Sequence, residues 1–78
     1  MQREPRKQMT ALNIYAIRQR AHRTQEQFAN ALGIPPNTLR SWEQQRKRPS
    51  GAARALLRLI EQRPELLESL AEIGEGKL

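Results

Sequence analysis

The chain contains no cysteine, a single histidine, and one residue each of tryptophan, tyrosine and phenylalanine. Without cysteine neither a disulfide nor a thiolate zinc site can form, and His22 alone does not make a metal cage; it reads as a helix-end residue. Nor is any run of apolar residues long enough to span a bilayer. The basic start Met1-Gln2-Arg3-Glu4-Pro5-Arg6-Lys7 is followed by no apolar stretch, so it does not read as a secretory signal. A cytoplasmic location is the expectation. No Ser/His/Asp arrangement and no phosphate-cradling glycine loop is present. The carboxylates Glu61, Glu65, Glu68 and Glu72 are spread along helical faces rather than converging on one point. An enzyme is therefore not expected, and no cofactor or metal is implied.

What is there is positive charge, unevenly placed. Residues 1–50 carry ten Lys/Arg against three Asp/Glu, whereas residues 51–78 carry four against five. The first part suits a polyanion and the second something else. Seventy-eight residues allow one domain, and a chain this short buries only about 60% of its unfolded surface, so pairing with a second copy would help it.

Residues 1–9 read as a flexible basic arm, residues 10–74 as the folded domain and residues 75–78 as a flexible tail. Thr10 is the expected N-cap of a first helix over about residues 11–22, with Ile14, Ile17 and Ala21 on one stripe. Thr24 opens a second helix and forms a capping-box pattern with Gln27; Phe28, Ala29 and Leu32 face inward, and Gly33 closes it. Pro35-Pro36 opens a third, in which Leu39 and Trp42 point inward. Ser50 caps a fourth, about 51–62, with Ala53, Leu56, Leu57 and Ile60 inside; Pro64 opens a fifth, about 64–73. No stretch alternates long enough for strands. The expected fold is all-α, a compact bundle of five short helices.

The third helix carries the functional expectation. Asn37, Arg40, Ser41 and Gln44 fall on its outer face at i, i+3, i+4 and i+7. They are small or hydrogen-bonding side chains, and a helix reads base edges in the major groove only where no bulky apolar group intervenes. Trp42 and Phe28 are assigned to the core by periodicity, which argues against the exposed aromatic platforms of single-strand binders. Leu56, Leu57, Leu59, Ile60, Leu66, Leu67, Leu70 and Ile73 cover broader faces than a core of this size needs. Leu66, Leu70 and Ile73 are the expected homodimer interface, which would set two recognition helices about 34–36 Å apart on a pseudo-palindrome.

The blocks Thr24-Gln25-Glu26-Gln27-Phe28-Ala29, Leu32-Gly33-Ile34, Thr38-Leu39-Arg40-Ser41-Trp42-Glu43 and Arg48-Pro49-Ser50-Gly51, in this order and spacing, resemble the lambda-repressor-like, or XRE, helix-turn-helix class over about residues 12–72. With Leu56-Leu57-Arg58 and Pro64-Glu65-Leu66-Leu67, the chain is most similar to small regulators that include antitoxins of the HigA and MqsA kind. The resemblance implies a sequence-specific repressor of double-stranded DNA, autoregulating a type II toxin–antitoxin operon with a possible toxin partner. The alternative is a stand-alone XRE-type regulator with no toxin.

It further implies base contacts by Asn37 and Ser41, with Pro36 and Arg40 beside them. Asparagine matches adenine N6/N7 and arginine guanine O6/N7; Arg40 is equally suited to gripping phosphate. Gln25, Thr38, Gln44, Arg46, Lys47 and Arg48 are assigned to the phosphate backbone, Gln25 with the help of the helix N-terminus. Arg18 is expected to pair with Glu43 and fix the pose of the third helix. Two positions depart from the family. Gln45 stands where glycine usually turns the chain left-handed, at a strain of roughly 1–2 kcal/mol for a residue with a Cβ, so the loop is expected to follow another path. Pro35 stands where serine or threonine usually supplies an N-cap.

Overall fold

A computed structural model describes residues 12–74; the expected arm at 1–9, the expected cap Thr10 and the tail at 75–78 lie outside the described residues. Five helices and no strand are found among those described: α1 (Ile14–Arg20), α2 (Gln25–Leu32), α3 (Pro36–Glu43), α4 (Gly51–Gln62) and α5 (Leu66–Gly74). The expected number and order are present.

The bounds of α1 differ from expectation at both ends. Asn13, not Thr10, is its N-cap, with Oδ1 accepting from the Ala16 N–H at 3.0 Å. At the other end His22 takes a left-handed conformation (φ 58°), which no helix can continue. The Thr24 capping box of α2 forms as expected: the Gln27 N–H donates to Thr24 Oγ1 and the Thr24 N–H to Gln27 Oε1, both at 3.0 Å. Gly33 (φ 75°) closes α2, its N–H donating to the Asn30 carbonyl while the Ile34 N–H reaches back to Ala29.

The start of α3 has Pro35 as N-cap with no side-chain bond; the Pro35 carbonyl accepts from the N–H groups of Thr38 and Leu39 instead. Its end corrects the expectation for Gln45, which adopts the left-handed conformation after all (φ 63°). The Gln45 N–H donates to Trp42 and the Arg46 N–H to Ser41. This is the same pair of closing bonds that Gly33 gives α2, made here by a residue with a side chain. Ser50 Oγ caps α4 through the Ala53 N–H at 3.2 Å. α5 begins at Leu66 rather than Pro64, because Arg63, Pro64 and Glu65 each accept a bond from three residues on and form a tighter turn.

The core consists of Ile14, Ile17, Phe28, Ala29, Ala31, Leu39, Leu57, Ile60 and Leu67. Leu32, Trp42, Leu56, Leu70 and Ala71 pack around it, half-buried. Burying a Leu, Ile or Phe side chain is worth about 1.5–3 kcal/mol, and α2, which supplies Phe28, Ala29 and Ala31, lies against both α3 and α5. α1 meanwhile packs on α3 and α4. The consequence for function is that α3 is anchored along one side only, by Leu39 and Trp42.

Candidate nucleic-acid interface

The side of α3 opposite Leu39 stands clear of the body. Asn37, Arg40 and Gln44 are exposed, and Pro36, Thr38 and Ser41 are half-buried at its edges. Arg40 Nη1 donates to Asn37 Oδ1 at 2.6 Å, so the two outer side chains are joined to one another.

Behind that face, the last residue of α3 is held by two other helices. Arg18 of α1 grips Glu43 with two prongs, Nε to Oε2 at 2.7 Å and Nη2 to Oε1 at 3.2 Å. Gln25, first residue of α2, adds a third bond from Nε2 to Glu43 Oε1 at 3.0 Å. Only 6% of the Glu43 side chain and 11% of Arg18 remain accessible, so the pair is largely removed from water. Arg18 Nη1 is used as well, on the Arg23 carbonyl at 3.0 Å, and its guanidinium lies 5.3 Å from the centre of the Tyr15 ring. The hydrogen bond to Glu43 raises the Arg18 pKa above its ordinary high value; burial opposes this, and the charges of Glu43 and Tyr15 add to it. The Arg18–Glu43 pairing expected from the family is thus formed. Its third member is not evident from the sequence: Gln25, at the α2 N-terminus, reaches Glu43 with its side-chain amide.

Arg46, Lys47 and Arg48 are all exposed in the loop after α3. Lys47 and Arg48, together with Arg54 of α4, line a cleft of about 250 Å³ floored by Leu12, Ile14 and Trp42. Arg54 was not among the candidates from sequence. The signal that locates it is Ser50, since a residue four positions after an N-cap lies in the first turn, next to whatever precedes the helix. On α5, Leu66 and Leu70 are half-buried and Ile73 is 57% exposed. Among the described residues no cluster of His, Cys, Asp or Glu is arranged to hold a metal, and no helix is long and apolar enough to cross a membrane.

A short helix closed by glycine, a tight turn, and a second helix braced from behind with an exposed polar front define a helix-turn-helix regulator with a lambda-repressor-like arrangement of helices. The helix-turn-helix family matches residues 14–53, from the start of α1 into the first turn of α4, and the chain belongs to this family of DNA-binding regulators, in its XRE branch. It is similar to antitoxin HigA-2 of Vibrio cholerae serotype O1, with 38% identity over 60 residues, covering 77% of this chain and 58% of that protein. The chain thus matches under two thirds of the length of this relative. No solved structure matches it.

Proposed function

We propose that the chain is a cytoplasmic transcriptional repressor that binds a pseudo-palindromic operator as a homodimer, autoregulates a type II toxin–antitoxin operon, and has a toxin protein as its second partner. The observation that carries the DNA reading is the exposed polar front of α3 combined with the three hydrogen bonds that fix Glu43 behind it. A rigid helix whose front is open can enter the major groove without rearrangement of the fold.

In this reading Pro36, Asn37, Arg40 and Ser41 face base edges. Gln25, Thr38, Gln44, Arg46, Lys47 and Arg48 face phosphates, and Arg54 extends that row into α4. The phosphate contacts set register and confer salt dependence, and the base contacts confer specificity. The exposure of Ile73, next to half-buried Leu66 and Leu70, supports α5 as the dimer face, and the similarity to an antitoxin supports the operon setting. The chemistry is recognition rather than catalysis.

Replacing Asn37 and Arg40 together by alanine is expected to abolish preference for the operator while leaving weak, salt-sensitive binding to any duplex. A double variant that still selects the same sequence from a random pool would overturn the assignment of α3 as the reading helix.

A further inference from the structure

Asn37 and Arg40 are both exposed on the front of α3, and Arg40 Nη1 donates to Asn37 Oδ1 at 2.6 Å. This bond changes what Asn37 can offer a base. A free asparagine amide presents one acceptor and one donor, which is the pattern that fits adenine N6 and N7. Here the acceptor is engaged by a cation. The oxygen keeps a second lone pair, but an adenine amino group reaching it would set its own donor hydrogens against the guanidinium cation, unless the amide turned away from Arg40. What remains for a ligand is overwhelmingly donor: the two amide N–H groups of Asn37 and the four unused N–H groups of the guanidinium. Guanine alone presents two acceptors and no donor in the major groove; adenine presents one of each, thymine a single acceptor beside its methyl group, and cytosine a donor.

The bond also favours one of the two roles open to Arg40. It draws the guanidinium onto Asn37 in the first turn of α3, the part of a recognition helix that meets base edges. It restrains a long side chain before any ligand arrives, which lowers the ordering cost of binding.

We infer that Asn37 and Arg40 form one unit that selects guanine, with Arg40 as the reading group and Asn37 as a positioning residue that gives up its own match to adenine. The inference rests on α3 entering the major groove, as argued above, and adds the identity of one base in each half-site.

The test is selection of duplexes from a random pool by the wild-type chain, Asn37→Ala and Arg40→Ala, followed by affinity measurements on the selected site with base analogues. Both residues are exposed, so the variants are expected to keep the helical circular dichroism and melting temperature of the wild type. The wild type should enrich guanine at one position of each half-site. Inosine there, which keeps N7 and O6, should bind within about twofold, whereas 7-deazaguanine, which lacks the N7 acceptor, should lose about tenfold or more. Asn37→Ala should keep guanine with weaker discrimination. Arg40→Ala should release the amide and move the preference to adenine. Enrichment of adenine by the wild type, lost in Asn37→Ala and unaffected by Arg40→Ala, would overturn the coupled unit while leaving α3 as the reading helix. Enrichment of no sequence at all, despite binding to duplex, would remove both.

Discussion

Arg18 and Glu43, 25 positions apart in sequence, meet as a two-pronged ion pair at 2.7 and 3.2 Å that ties the first helix to the end of the recognition helix. Glu43 also accepts from Gln25, so one carboxylate links α1, α2 and α3. Ion pairs this far removed from water recover little net stability, because desolvation offsets the attraction. Their value lies in geometry, since α3 can shift along its single anchored side only by breaking bonds to both neighbouring helices.

Removing one member should therefore cost far more than removing both. Arg18→Ala is expected to destabilise the fold by about 3 kcal/mol, because it leaves the Glu43 charge buried with Gln25 alone. The double change Arg18→Met with Glu43→Leu should cost distinctly less. Urea denaturation of the three proteins checks this, and a double variant as unstable as the single one would refute it.

The Arg18 member of the pair should contribute no pH dependence near neutrality. A folded-state pKa raised above the unfolded one gives stability that is complete below the unfolded value and is lost only as pH climbs through the raised value. For a guanidinium that window lies in strongly alkaline solution, well beyond neutrality. The stability difference between wild type and the Met/Leu double variant, measured from pH 7 to pH 10, should be flat as far as Arg18 is concerned.

Gln45 holds a left-handed conformation that glycine adopts without cost. Gln45→Gly is expected to stabilise the chain by about 0.5–1 kcal/mol, the relief of strain exceeding the added freedom of the unfolded chain. Gln45→Ala, which keeps a Cβ, should bring no such gain. A rise in the denaturation midpoint for alanine equal to that for glycine would contradict the strain argument.

Each cation of the basic loop that meets a phosphate should contribute about 0.9 to the slope of log affinity against log salt. Arg46→Ala, Lys47→Ala and Arg48→Ala are expected to weaken operator and random duplex alike, and to flatten the slope by about one apiece. A variant whose loss is confined to the operator would instead be reading bases.

Ile73 is the most exposed large apolar residue of the described chain at 57%, whereas Leu67 on the same helix is buried at 1%. On the proposal that α5 forms the dimer face, Ile73→Glu should leave the monomer fold unchanged and make the chain sediment as a monomer where the wild type sediments as a dimer. Leu67→Ala should cost about 2–5 kcal/mol of fold stability whatever the oligomeric state. An Ile73→Glu protein that dimerises as tightly as the wild type would move the interface elsewhere.

The local chemistry of the chain was readable before any coordinates. The Thr24–Gln27 capping box, the Gly33 stop, the proline start of α3 and the Ser50 cap each depend on residues within about four positions of one another. The spacing of Leu39 and Trp42 likewise fixed which side of α3 turns outward. The Arg18–Glu43 pair was legible only through family resemblance, since nothing local connects positions so far apart.

Backbone choices and side-chain partners were settled elsewhere. Asn13 rather than Thr10 starts α1, and His22 and Gln45 both adopt a conformation that their own preferences oppose. Packing of α1 and α3 on the shared core must outweigh that strain, and such a balance cannot be weighed from a window of neighbours. Composition, caps and periodicity thus prescribe five amphipathic rods and the polar front of the third. The third donor on Glu43, the entry of Arg54 into the basic cleft and the bond between Asn37 and Arg40 follow only once those rods are docked and their rotamers set, because each depends on distances between atoms that the order of residues does not contain.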